Sequence, residues 1–195
     1  MAPVRSLNVI GKQGEGEFVA NAAGASNLSP VSAIGPAKTA GIIALVGGAT
    51  ILGAYFFQYV LGLKPCPLCL EQRVPYYLAI VVAAVVAFVA AKDAPPALIK
   101  LGFALLVLIW LVSAGLGVYH SGIEWKFWAG PTECTGELGS FGGGDLMKQI
   151  QTTSVVRCDE AAWRFLGLSL AGYNVLISLG LAVIAIFGFA SARKS

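Results

Sequence analysis

Four long stretches of this chain carry no Lys, Arg, Asp or Glu: residues 39–63, 74–91, 101–123 and 165–192. Each is long enough to cross a hydrocarbon core of about 30 Å at roughly 1.5 Å per helical residue. Inside lipid every backbone N–H and C=O must find its partner within protein, and runs of this length leave the α-helix as the spanning form. Barrel strands are shorter and alternate in polarity. The sequence therefore predicts an all-α membrane protein, a four-transmembrane-helix antiparallel bundle with spans at about 40–62, 74–91, 98–120 and 166–191. Composition agrees, because only 12% of residues are charged and 57% are hydrophobic, whereas a soluble domain is about 25% charged.

An even number of spans puts the loops at 63–73 and 121–165 on one face and both termini on the other. All four cysteines, Cys66, Cys69, Cys134 and Cys158, then share one compartment. Lys38, Lys92, Lys100, Arg193 and Lys194 flank spans on the terminal face, against Lys64, Arg73 and Arg164 on the cysteine face. The excess points to cytoplasmic termini. Cysteines facing an oxidising periplasm agree, because paired thiols persist as disulfides there. The net charge of +3 is spread thinly, without a basic run, and this excludes a nucleic-acid partner.

Residues 1–37, rich in Gly, Ala, Ser and Asn, read as a flexible cytoplasmic tail ahead of a membrane domain at 38–195. Ala44, Gly47, Gly48 and Gly53 predict close helix packing along the first span. Asp145 to Ile150 predicts a surface turn or a short helix with Leu146 and Ile150 on one face.

The chemistry is concentrated in Cys66-Pro67-Leu68-Cys69, which sits between the first two apolar runs. A Cys-x-x-Cys pair closes a small disulfide and favours the thiolate, the reactive species of thiol–disulfide exchange. Two cysteine pairs on one face, Cys66 with Cys69 and Cys134 with Cys158, can relay two electrons, since each thiolate released from one disulfide can attack the next. Cys69, near the start of the second helix, is expected to hold the favoured thiolate. Arg73 lies one turn further on. It serves either as a partner for that thiolate or for an acceptor's carbonyl, or as a headgroup anchor. Gln72 is expected to be a solvated amide. His120, the only histidine, is either a proton carrier or interfacial packing beside Tyr119. Trp125 and Trp128 read as an aromatic belt, and Glu71 and Glu124 receive no role.

Two other readings use the same cysteines without catalysis. A non-enzymatic membrane protein would bind a metal through four cysteines, although Cys134 and Cys158 lack a second close-spaced pair. Alternatively both disulfides are structural, although a loop closed across two residues removes little unfolded-chain entropy.

Three segments carry a resemblance: Lys-Pro-Cys-Pro-Leu-Cys-Leu-Glu-Gln-Arg at 64–73, Gly-Pro-Thr-Glu-Cys at 130–134, and Cys-Asp-Glu-Ala-Ala-Trp-Arg-Phe-Leu-Gly-Leu-Ser at 158–169. In these the chain resembles the disulfide bond formation protein B (DsbB) family of bacterial inner-membrane thiol:quinone oxidoreductases. The resemblance implies that a periplasmic DsbA-like dithiol protein is reoxidised, with Cys134 attacked first and Cys158 released to attack Cys66. Cys69 would then pass electrons to ubiquinone or menaquinone near Arg73, with His120 a further cofactor-binding candidate. The direction it implies agrees with the established potential of DsbA, about −120 mV, which calls for a more oxidising sink such as a quinone.

Overall fold

The computed structural model of the protein describes residues 35–131 and 157–192. The N-terminal tail up to residue 34, Cys134, the stretch 145–150 and the last three residues lie outside them. Among the described residues, four helical segments are long and apolar enough to cross a membrane. The first is α1 (Pro36–Tyr59). The second is a short α2 (Pro67–Glu71) that runs into α3 (Arg73–Ala91), and α4 (Pro96–Glu124) and α5 (Leu170–Ser191) complete the set. The all-α, four-span expectation is met, with one small antiparallel hairpin added.

Proline opens α1, α2 and α4, at first-turn positions whose N–H groups have no intrahelical acceptor anyway. Pro67, between the paired cysteines, is thus a helix-start residue. Helix α4 packs on α5 and α3, and α1 packs on α3 and α5. The seam is built from Ala40, Ala79, Ala83, Ala182 and Ala185 around Phe103, Leu106 and Trp110, all buried. Leu45, Leu52, Phe88 and Leu108 point outward. This is the pattern expected of a bundle in lipid, where small residues let helices approach and large apolar ones meet the acyl chains. On α1 the close approach occurs at Gly47, against Ile80 and Trp110, whereas Gly48 and Gly53 face open space. The packing expected of all four small residues therefore narrows to part of the stripe.

Of the helix ends that differ from the expected spans, two have a clear local cause. Helix α4 continues past residue 120 to Glu124, because a hydrogen-bonded cap ends it there. Lys126, at φ 62°, takes the left-handed position. Its N–H bonds to the Ile123 carbonyl at 3.0 Å and the Phe127 N–H to that of Gly122 at 2.9 Å. This is the Schellman arrangement with lysine in glycine's usual place. At the other end, α5 starts at Leu170 because residues 164–169 form a hairpin, β1 (Arg164–Phe165) with β2 (Leu168–Ser169). Leu166 and Gly167 both have positive φ, the requirement of a two-residue type I′ turn. Ser169 then caps α5 by accepting from the Gly172 N–H at 3.2 Å.

Candidate redox site

Cys66 and Cys69 are joined by a disulfide at the bundle end where α1 and α4 finish and α3 and α5 begin. The residue capping α2 is Cys66, whose sulfur accepts from the Cys69 N–H at 3.2 Å. The sulfur receiving a backbone donor at the helix start is therefore that of Cys66. Cys69 itself lies in the first turn of α2, near the start of the second helical segment as expected. Cys66 is buried together with Leu68, Ile123 and Cys158 in one cluster, with Cys69 packed against it. The structure thus brings three of the four expected cysteines together. Cys158 is fully buried, and no described cysteine is a free thiol.

The Cys158 segment is tied to the end of α4. The Asp159 carboxylate accepts two bonds from the Arg157 guanidinium, at 2.8 and 2.7 Å, and pairs with Lys126, whose Nζ also donates to the Asp159 carbonyl at 3.1 Å. Arg157 and Lys126 hold the Asp159 carboxyl well below the usual carboxylate range, and Asp159 in turn raises Arg157.

Against the disulfide lies a cleft of about 460 Å³, lined by Phe57, Cys69, Arg73, Trp163 and Ile177 among others. The Phe57 and Trp163 rings approach to 5.0 Å, and Trp163 stacks on Phe165 of the hairpin. Arg73 is half-buried, donates to Gln58 Oε1 at 2.7 Å and lies 5.1 Å above the Tyr55 ring. Helix α1 therefore aims it at the cleft, and no carboxylate lies within ion-pair distance of it among the described residues.

His120 is buried, not interfacial. Its Nε2 lies 3.7 Å from Cys66 Sγ and 3.8 Å from Glu124 Oε1, and the Cys158 backbone faces the same ring. Gln72, expected to be solvated, is buried and bonded on both sides. Its Nε2 donates to His120 Nδ1 at 2.6 Å and to the Leu68 carbonyl at 3.3 Å, while its Oε1 accepts from Asn174 Nδ2 at 2.6 Å. Asn174 Oδ1 accepts in turn from Tyr76 at 2.7 Å and lies 3.1 Å from the Ser178 hydroxyl, which is itself 2.9 Å from that of Ser113. Sequence reasoning missed Gln58, Asn174, Ser113 and Ser178. The signal was available, since a polar side chain in an apolar span is costly unless it is bonded. Trp125 and Trp128 are exposed as a belt would require, with Trp128 stacked on Tyr119 and donating to its carbonyl at 3.0 Å.

Cys66, Cys69 and His120 present their ligand atoms within 4.8 Å of one another. As metal donors they are blocked here, because the sulfurs share a bond and the Gln72 contact leaves the Nε2 hydrogen facing the cluster.

A disulfide buried at one end of a four-helix bundle, packed against a third cysteine and lining an apolar cleft, defines a multi-pass membrane thiol–disulfide protein. The family model described as "Disulfide bond formation protein DsbB" matches residues 36–188, and the chain belongs to that family, whose members act in protein disulfide formation. It is 32% identical over 158 residues to the Disulfide bond formation protein B of Aromatoleum aromaticum, covering 78% of this chain and 91% of that protein. To the protein of that name from a Polaromonas species it is 28% identical over 162 residues, covering 77% and 89%. No solved structure matches the chain.

Proposed function

We propose that this protein reoxidises a periplasmic DsbA-like dithiol protein and delivers the two electrons to a membrane quinone, ubiquinone or menaquinone. It would lie in a bacterial inner membrane with its termini cytoplasmic and its cysteine loops periplasmic. The observation that carries the reading is the position of the Cys66–Cys69 disulfide, packed against Cys158 and at the same time lining the apolar cleft that bears Arg73.

The donor's thiolate attacks Cys134 and releases Cys158 as a thiolate. That thiolate attacks Cys66 Sγ, breaks the Cys66–Cys69 bond and frees the Cys69 thiolate at the cleft. The second donor thiol completes the donor's own disulfide and frees the Cys134 thiolate. That thiolate attacks Cys158, restores Cys134–Cys158 and releases Cys66. Two electrons and two protons have then left the donor, and the electrons rest on the Cys66 and Cys69 sulfurs. The cleft fits the acceptor: Phe57 and Trp163 suit a flat ring, its volume falls in the usual range for small-molecule sites, and Arg73 supplies fixed N–H donors for a carbonyl oxygen. When bound, the quinone supplies the two-electron, two-proton sink.

Anaerobic quinone reduction by the purified protein, fed a reduced DsbA-like dithiol, tests this. Turnover is expected in wild type and is lost in Cys69→Ser; wild-type silence with several quinones and donors, or full turnover in Cys69→Ser, overturns it.

A further inference from the structure

Glu124 stands one helical turn beyond His120 and is only 8% exposed. Its Oε1 faces His120 Nε2, and its Oε2 has no hydrogen-bond partner among the described residues. Burying an acceptor unpaired is costly, so the carboxylate calls for an explanation that packing does not give.

The hydrogen-bond network supplies it. Asn174 donates to Gln72 Oε1, which fixes the amide so that its Nε2 faces the Leu68 carbonyl and His120 Nδ1. Nδ1 must therefore accept, and the hydrogen of the neutral imidazole sits on Nε2. That one N–H faces a sulfur of the reducible disulfide, a buried carboxylate and the Cys158 backbone carbonyl. Other charged groups line the same cleft: Lys64, Arg73, Arg157 and Glu160. Arg157 is engaged by Asp159 and Glu160, and Arg73 by Gln58. His120 is the one basic group within ion-pair distance of Glu124 among the described residues.

We propose that Glu124 and His120 are the proton store of the Cys66–Cys69 centre, with Gln72 a positioning residue that sets the imidazole tautomer; this rests on the dithiol-to-quinone reading above. Two-electron reduction breaks the S–S bond and leaves a thiolate on each sulfur. One of the donor's two protons is held on the Glu124 carboxyl, because Gln72 keeps His120 Nδ1 an acceptor, and the Nε2–H of the neutral ring bonds to the Cys66 thiolate. When the sulfurs rejoin, two electrons leave for the acceptor and this proton follows, leaving imidazole neutral and Glu124 ionised. The donor's second proton reaches the acceptor through water.

His120 is the only histidine, so 15N-imidazole labelling yields a single ring to read. In oxidised wild type the expected spectrum is the neutral Nε2–H tautomer. Anaerobic reduction without quinone should leave the ring in its neutral Nε2–H tautomer and bring up the infrared C=O stretch of a protonated buried carboxyl in wild type, a band absent from Glu124→Gln. In turnover, Glu124→Gln should lower kcat about a hundredfold with the quinone KM unchanged, and Glu124→Asp should restore part of it. An Nδ1–H tautomer in the oxidised protein, or Glu124→Gln with wild-type spectrum and kcat, overturns the proposal. The spectra need no quinone, so an absence of wild-type turnover beside the expected spectra would count against the quinone reading alone.

Discussion

Replacing Gln72 with methionine isolates the hydrogen bonds that position His120. Methionine is unbranched and close to glutamine in length, so the site beside Leu68 stays filled. Three bonds go. The Leu68 carbonyl still accepts from the backbone N–H of residue 72 at 3.1 Å, and Asn174 Nδ2 keeps a longer bond to the Ser113 carbonyl at 3.4 Å. His120 Nδ1 is left without its donor. One orphaned buried acceptor costs about 1–3 kcal/mol, the weakened Asn174 contact adds about 1, and the apolar thioether offsets about 1. The net loss is about 1–3 kcal/mol. For a chain of this size each kcal/mol moves Tm by about 2–4 °C, so thermal unfolding in detergent, followed by tryptophan fluorescence, should shift down by about 2–12 °C. Gln72→Glu is the companion variant. It still accepts from Asn174 but turns an acceptor toward Nδ1, so the labelled ring should carry a hydrogen on Nδ1. A Gln72→Met protein melting with wild type and retaining the Nε2–H tautomer would refute the claim that Gln72 sets the ring.

A Cβ at Gly188 would fall on the Phe103 ring, which is fully buried, while one at Gly180 meets nothing within 4 Å. Gly188→Ala should therefore cost about 1–3 kcal/mol through overpacking of α4 on α5, and Gly180→Ala should be neutral or slightly stabilising; equal melting of the two variants would contradict this packing. Asp159 has its carboxyl depressed by Arg157 and Lys126. Its contribution is thus present above the ordinary carboxylate pKa, 3.8, and is lost as pH falls through the lower folded value. Lys126→Ala should speed amide hydrogen exchange over residues 157–160 at neutral pH, and the difference should shrink in 1 M salt, where screening acts within about 3 Å. Unchanged exchange would show that the pair does not hold the Cys158 segment.

How much of this was legible in sequence depended on what each residue type betrays alone. The spans were, because lipid forces an apolar run to satisfy its own backbone, and the Cys-x-x-Cys pair was, because its spacing already fixes proximity. The ends of the helices were less so. A charge-free run says where lipid is tolerated, not where a helix starts, and 165–192 hid a hairpin whose signals were Gly167 and Ser169. Likewise Glu124 looked like the start of a loop because the cap that extends α4 depends on Lys126 taking a left-handed conformation, which lysine does not advertise. The network from Ser113 through Asn174 to Gln72 joins residues from three helices, and no spacing rule within one helix relates them. Taken singly, each of these residues reads as an isolated polar side chain, yet together they give the sole histidine one defined donor. That is why the cysteines announce redox chemistry in the sequence, while the groups placed to manage its protons appear only once α3, α4 and α5 are packed.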